Sequence, residues 1–364
     1  MKLTAKIKLQ PTEKQFNFLV HTIAIANATC NHISQRAWDT QTFKQFDIHH
    51  LVYKDIRSEE YPLSAQMVVR AIAKVADAYK LDKKVKRSFN PTGAIAYDAR
   101  ILSWKMEDQT ISIWTIKGRQ RMPFVCGKRQ KELLKSQRGE SDLVLIDGTF
   151  YLFATCDIDE PTPDDVEDCL GIDLGIVNIA TTSDGEQFAG NQVNSVRQRR
   201  RRQRKRLQKK GTKSAKRVAK RLSGKERRFA AQENHRISKQ IVKKAKDTNR
   251  AIALENLKGI RQRVRLRKPQ RVNLHSWSFH QLGQFILYKA ILAGVPVVFV
   301  DPRNTSRKCS KCGCVDKRSR KSQSNFSCTS CGYTLNADYN AAKNISVLGW
   351  GGLSSVRTAQ VSTS

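Results

Sequence analysis

Two CxxC pairs, Cys309-Ser-Lys-Cys312 and Cys328-Thr-Ser-Cys331, with fifteen residues between them, constrain the fold of this chain more than any other stretch. A two-residue spacer lets both sulfurs of a tight knuckle face one ion, so four such thiolates suit a tetrahedral zinc site. Each pair is followed by glycine, Gly313 or Gly332, whose permissive backbone lets amides turn toward the sulfurs. The spacing predicts a zinc ribbon. A disulfide-bonded loop is the competing reading, but nothing in the sequence points to an oxidising compartment. Cys314 could replace Cys312, although the CxxC knuckle is the better match and leaves Cys314 out. A closed four-cysteine site has no open position for substrate, so the zinc is expected to be structural and the chemistry to lie elsewhere.

That ribbon sits in a chain of 364 residues, enough for two or three domains, with 39% hydrophobic residues and a formal net charge of +35. Such an excess would repel itself unless polyanions neutralise it, so nucleic acid is the expected partner. No long apolar span argues for a membrane protein, and the opening residues lack the apolar centre of a signal peptide. The nine cysteines fit a reducing compartment, and a cytoplasmic, prokaryotic, nucleoid-associated protein is expected.

Residues 1–10 alternate like a strand. Thr12 and Gln15 then form a capping-box pattern ahead of Phe16, Leu19, Val20, Ile23, Ala26, Cys30, Ile33 and Ala37 at helical spacing. A second helix is expected from near Ser64, with Val68, Ala71, Ile72, Val75 and Tyr79 on one face. From Arg87 to Ile158 short strand-forming runs, including Ile111-Ser-Ile-Trp and the segment after the Asp147-Gly148 turn, predict an antiparallel barrel or sandwich. The first strand could join it, which would make the helices an insertion.

An acidic, proline-bearing linker, Asp157 to Asp168, marks a domain boundary. A β meander follows from Cys169 to Phe188. Between Arg197 and Lys246 lie 23 basic residues and two acidic ones, a pattern for a basic helical hairpin. Within it Arg199, Arg200, Arg201, Arg202, Arg204, Lys205, Arg206, Lys209 and Lys210 are candidates to track phosphates, contacts that bring salt dependence but no base specificity. A strand at Ala251–Glu255, a helix from about Ser276 to Ala293 ended by Gly294, and a buried strand at Val295–Val300 complete the pattern. Trp104, Trp114 and Trp277 are expected in cores rather than stacked on bases. The Gly- and Ser-rich end, 349–364, is expected to be disordered.

Three acids stand at element ends: Asp173, Glu255 and Asp338. Hard cations such as Mg²⁺ take carboxylate oxygens, and two ions about 4 Å apart stabilise the attacking and leaving oxygens of a phosphodiester. Spacing alone leaves each acid open to a second reading, a hydrogen-bonded turn residue.

Asp173-Leu-Gly, Ala253-Leu-Glu255-Asn-Leu-Lys, Tyr288-Lys289-Ala290, Thr305-Ser-Arg-Lys-Cys-Ser-Lys-Cys-Gly and Asp338-Tyr-Asn-Ala-Ala-Lys-Asn-Ile, in this order, resemble the TnpB family. These are compact RNA-guided DNA endonucleases of insertion sequences and relatives of type V CRISPR effectors. The match is specific from about Leu170 to Ile345. The resemblance implies a multidomain α+β protein. A β-barrel wedge domain (1–10 and 87–160) would carry an inserted helical recognition module (11–86). An RNase H-like (RuvC) α/β nuclease domain (168–303 and 336–348) would carry the inserted zinc ribbon (304–335). It also implies that Asp173, Glu255 and Asp338 form the catalytic, Mg²⁺-binding triad, that Cys309, Cys312, Cys328 and Cys331 hold zinc, and that the partners are a guide RNA and a double-stranded DNA target. Two rivals share these features: a nuclease-inactive guided repressor and a guide-independent structure-specific nuclease. A plain zinc-ribbon RNA-binding protein would have no use for the three acids.

Overall fold

The computed structural model describes residues 1–57, 62–257 and 279–361. It divides into two compact units, Met1–Asp159 and Glu160–Ser364, with the boundary inside the acidic linker.

In the first unit the opening strand β1 (Lys2–Leu9) leads into helices α1 (Glu13–Asp39), α2 (Gln45–Arg57) and α3 (Ala65–Leu81). The chain then builds β2 (Ile95–Tyr97), β3 (Leu102–Lys105), β4 (Thr110–Thr115), β5 (Gly118–Val125), α4 (Lys128–Lys135), β6 (Gln137–Ile146) and β7 (Thr149–Asp157). The seven strands form one antiparallel sheet in the order β2-β6-β7-β1-β5-β4-β3. Its two outermost strands, β2 and β3, are consecutive in the chain, so the sheet curls into a nearly closed barrel. Tyr97 Oη of β2 donates to the Trp114 carbonyl of β4 (2.9 Å) across the seam, and the Trp114 amide donates to the Ile101 carbonyl (2.9 Å), extending the β3–β4 pairing.

Alternation puts Ile7, Leu9, Ile111, Ile113, Met122, Leu143 and Leu152 inside, where they join Leu19, Ile23, Ile33, Val68, Ile72 and Val75 of the helices in one hydrophobic cluster. The three helices are thus an insertion after β1 that shares the core of the barrel. The capping box of α1 is formed: Gln15 N–H donates to Thr12 Oγ1 (3.3 Å) and Gln15 Oε1 accepts from the Thr12 amide (3.1 Å). Trp104 and Trp114 pack against the cluster, as expected. Two helices exceed the sequence expectation. In α2 the stripe Ile48, Val52, Ile56 is one residue wide and lies among His49, His50 and Tyr53; α4 has only Leu133 and Leu134 as apolar content.

The second unit opens with β8 (Cys169–Asp173), β9 (Asn178–Thr182) and β10 (Gln187–Ala189), the expected meander, followed by the basic hairpin α5 (Asn191–Lys210) and α6 (Lys213–Asp247). Gly211 at φ +68° closes α5, and Thr212 caps α6 by accepting from the Ala215 amide (3.1 Å). Then come β11 (Ala251–Glu255), α7 (Phe279–Ala293), β12 (Val297–Val300), the ribbon strands β13 (Asn325–Ser327) and β14 (Thr334–Asn336), and α8 (Ala337–Val361). Gly294 follows α7 at φ +73°, while the expected helix start at Ser276 and Trp277 lie outside the described residues.

The sheet runs β10-β9-β8-β11-β12, with β11 parallel to β8 and to β12 and the remaining pairs antiparallel. Its faces differ in chemistry. Leu170, Ile172, Ile252 and Leu254 pack against Ile237 and Ile241 of α6 and Leu282 and Ile286 of α7. On the other face Cys169, Ala251, Ala253 and Val300 meet Ile345, Trp350 and Leu353 of α8. Side chains on the α8 face are small because the helix comes close. A methyl on Gly171 would overlap the Ala342 carbonyl and the Ser346 amide, and one on Gly349 would overlap Ala253 Cβ. Ser346 Oγ donates to the Cys169 carbonyl (2.5 Å), stitching helix to strand.

Two expectations are corrected here. The disordered tail assigned to 349–364 is helical through Val361, because Trp350 and Leu353 anchor it and Gly349 permits close approach. The strand at Val295–Val300 is a sheet edge with Phe299 48% exposed, not a buried strand.

Candidate metal centre and carboxylate site

The ribbon is made of two knuckles with the same backbone wiring. Cys309 N–H donates to the Cys314 carbonyl (2.8 Å) and Cys328 N–H to that of Tyr333 (2.9 Å); Gly313 N–H returns to Cys309 O (2.9 Å) and Gly332 N–H to Cys328 O (3.1 Å). Both glycines sit in the left-handed region, φ +76° and +69°, as the motif required. Cys314 thereby finds its place. It is the counterpart of Tyr333, accepting through its backbone while its side chain packs beside Cys309 and Phe326. The Sγ atoms of Cys309, Cys312, Cys328 and Cys331 all lie within 4.8 Å of one another. Across the two pairs, Cys309 to Cys331 is 3.8 Å and Cys312 to Cys328 is 3.6 Å. A tetrahedron with Zn–S bonds of about 2.3 Å has edges of about 3.8 Å, so the four sulfurs fit zinc, whereas a disulfide needs about 2.05 Å.

The three acids converge on one side of the second sheet. Strand alternation puts Asp173 and Glu255, each at the C-terminal end of its strand, on the face covered by α8. Parallel pairing of β8 and β11, with Ile172 opposite Leu254, sets the two acids level on neighbouring strands. Asp338 comes from the first turn of α8, where Asn336 Oδ1 caps the helix by accepting from the amides of Asp338 (3.0 Å) and Tyr339 (3.2 Å). A carboxylate at a helix N-terminus is favoured by the helix dipole. Asn178 Nδ2 donates to Asp338 Oδ2 (3.0 Å), and Thr305 Oγ1 donates to Glu255 Oε1 (2.6 Å).

Burial, followed by the charges of Glu255 and Asp338, raises the Asp173 carboxyl well above the usual range; Arg320 opposes this. Burial likewise raises Glu255, with the Thr305 hydroxyl and Arg320 pulling it back. Arg320 leaves the ribbon to place Nη2 at 3.4 Å from Asp338 Oδ1 and is the cation facing all three acids. Among the described residues one guanidinium faces three carboxylates, an oxygen-only donor set of the kind that suits a hard divalent cation. The carboxylates do not close into a cage by themselves: among the described residues, only the four cysteines bring ligand atoms within 4.8 Å of one another. Sequence reasoning gave no role to Arg320, Thr305 or Asn178; Thr305 opens one of the family-like motifs, but only the fold brings all three onto the acids.

The hairpin divides its cations. Arg199, Arg201, Arg202, Lys205, Arg206, Lys209 and Lys210 are exposed. Arg200 and Arg204 are half-buried; Arg200 Nη1 donates to Gln203 Oε1 (3.0 Å) on its own helix, whereas Arg204 Nη2 pairs with Glu226 Oε2 of α6 at 3.1 Å and so ties the hairpin together. No described helix is long and apolar enough to cross a membrane.

Known proteins resemble this chain in sequence over part of its length and in fold. Residues 154–260 match the OrfB_IS605 family, described as probable transposase, and residues 279–345 match the Cas12f1-like TNB domain. The CRISPR-associated endodeoxyribonuclease Cas12f1 of Sulfoacidibacillus thermotolerans is 44% identical over 115 residues, covering 31% of this chain and 26% of its own length. A TnpB-like protein of Methanocaldococcus jannaschii is 34% identical over 131 residues, 36% of this chain and 46% of that protein. The matched stretches thus span less than half of these relatives. A solved Cas12f1–sgRNA–target DNA complex has the same fold, with a TM-score of 0.63 at 16% identity over 92% of this chain and 83% of the other. The chain is thus similar over residues 154–260 to the probable-transposase family and over residues 279–345 to the Cas12f1-like TNB domain, and over part of their lengths to a TnpB-like protein and a Cas12f1.

Proposed function

We propose that this chain is an RNA-guided endonuclease that hydrolyses DNA at a divalent-metal site formed by Asp173, Glu255 and Asp338. The observation that carries the reading is the placing of three acids, from two strand ends and a helix start, on one face of the second sheet, near enough that the charges of Glu255 and Asp338 add to burial in raising the Asp173 carboxyl. The sheet order around them, with three antiparallel strands and two further parallel ones, supports an RNase H-like, RuvC-type domain. The relatives add that one is named an endodeoxyribonuclease and another was solved with sgRNA and target DNA. When bound, Mg²⁺ would activate water and stabilise the leaving oxygen, giving 3′-hydroxyl and 5′-phosphate ends. Asp173 and Glu255 would hold it from the strands and Asp338 from the helix, with Asn178 orienting the Asp338 carboxylate. Zinc in the ribbon would be structural. The exposed cations of α5 would track phosphates, leaving sequence choice to guide pairing and a short target-adjacent motif.

The test is to purify the protein with its RNA, sequence that RNA, and present a matching duplex target with Mg²⁺. Wild type should cut, whereas Asp173→Ala, Glu255→Ala and Asp338→Ala should each bind target and lose cleavage by at least about a thousandfold, because the ligands act as a unit. Cleavage surviving in all three would place the chemistry elsewhere. Guided binding without cleavage by wild type would make the protein a repressor, and guide-free cutting a structure-specific nuclease.

A further inference from the structure

The segment between β12 and the first zinc knuckle is gripped by one face of α8. Asn340, fully buried, donates from Nδ2 to the Lys308 carbonyl (2.8 Å) and accepts the Ser310 amide on Oδ1 (3.0 Å), so it holds the chain on both sides of Cys309. One turn later Asn344, 4% exposed, donates to the same Lys308 carbonyl (2.7 Å) and to the Thr305 carbonyl (2.9 Å). Thr305, itself 3% exposed, turns its hydroxyl onto Glu255 Oε1 at 2.6 Å. The helix that supplies Asp338 directly therefore also fixes Glu255, through Asn344 and Thr305, and Cys309, through both asparagines.

Two carboxamides buried in a helix are costly unless their hydrogen bonds are made, and here those bonds go to the loop rather than to the sheet. Packing of α8 does not require them, since Cys169, Ala253, Ile345 and Trp350 supply that contact. Their geometry serves the loop, and the loop ends on a carboxylate at one end and a thiolate at the other.

We propose that Thr305, Asn340 and Asn344 are positioning residues that set the Glu255 carboxylate for a divalent cation and couple that site to the zinc ribbon. The proposal rests on the reading of Asp173, Glu255 and Asp338 as cation ligands. Outer partners of metal-binding carboxylates typically change affinity by about 10- to 100-fold when removed. Thr305→Val keeps the shape of the side chain and removes only its hydroxyl, while Thr305→Ser restores the hydroxyl.

The experiment is a titration of the full chain, zinc-loaded and free of other divalent ions, with Mn²⁺ alone, followed by electron paramagnetic resonance of the free ion. Asp173→Ala marks the affinity without the site. Thr305→Val should weaken Mn²⁺ binding roughly tenfold or more with its zinc content and melting temperature near those of wild type, and Thr305→Ser should recover to within about threefold. Cys309→Ser, which touches no carboxylate, should also weaken Mn²⁺ binding. Asn344→Ala should do the same, but it leaves two buried carbonyls without a partner and can unfold the loop, so Thr305→Val carries the decision. Wild-type affinity in Thr305→Val, with Asp173→Ala clearly weaker, would overturn the positioning role and leave the cation site standing. Equal affinity in wild type and Asp173→Ala would overturn the cation site itself, and the proposal with it.

Discussion

Gly171→Ala is the most searching single perturbation of the second unit. The added methyl would overlap the Ala342 carbonyl oxygen and the Ser346 amide, with Ser346 Cα at 2.9 Å. All three are helix backbone atoms and cannot rotate aside, so relief requires α8 to retreat by on the order of 1 Å to reach ordinary contact distance. Overpacking of this kind costs about 1–3 kcal/mol. For a unit of roughly 200 residues each kcal/mol lowers the melting temperature by about 2–4 °C, so a fall of about 2–12 °C is expected.

The functional effect should be larger than the stability effect. Ala342 is one turn from Asp338, and Gly171 shares its strand face with Asp173, so the retreat separates the two acids. A displacement of about 1 Å at reacting groups can cost on the order of a hundredfold in rate. Gly349→Ala is the control. Its methyl meets Ala253 Cβ and Cys169 Sγ, farther along α8, so it should destabilise with a smaller loss of cleavage. Calorimetry and single-turnover cleavage check both. Gly171→Ala melting within a degree of wild type and cutting at full rate would refute the close approach of helix and strand.

Three further outcomes are expected. Mass spectrometry of native protein should find one zinc per chain, and Cys309→Ser or Cys331→Ser should lose it and expose the ribbon to proteolysis; metal-free native protein would contradict the site. Replacing the exposed Arg199, Arg201 and Arg202 by Ala should weaken nucleic-acid binding across sequences and reduce the slope of log affinity against log salt by about 2–3, while an unchanged slope would count against phosphate contact. In metal-free protein Asp173 has a folded pKa raised above its unfolded value, so its contribution is favourable in acid and is lost as pH rises past the unfolded carboxylate range. Asp173→Asn should therefore raise the melting temperature at neutral pH, with the gain vanishing in acid; equal melting curves at pH 7 would show that neither burial nor the neighbouring acids penalise the charged carboxyl.

What the sequence made legible was what local pattern determines. The CxxC spacing gave the knuckles, the Thr12 and Gln15 pair gave the start of α1, and alternation placed Asp173 and Glu255 at strand ends. What stayed hidden depends on partners distant in the chain. Gly349 looks like the start of a disordered tail until Ala253 is seen to leave no room for a side chain. Arg204 looks like its exposed neighbours until Glu226 of the next helix is opposite it. Arg320 is one of several ribbon cations and is set apart only by reaching Asp338.

The position of β1 has a consequence for the order of events in synthesis. β1 is an interior strand of its sheet, made well before the strands it pairs with: β7 from Lys2↔Asp157 to Lys8↔Tyr151 and β5 at Lys8↔Val125. At ribosomal rates of about 5–20 residues per second its main partner emerges roughly 7–30 s later. During that interval both edges of β1 are open to wrong pairing, and pairing so distant in sequence is slow in any case. Lys2, Lys6 and Lys8 alternate along the strand with Leu3, Ala5, Ile7 and Leu9, which is how exposed edges are kept from sticking to other chains. The lysines of β1 thus protect the strand while it waits, and replacing them with threonine should leave the finished barrel intact but raise the fraction of newly made chains lost to aggregation.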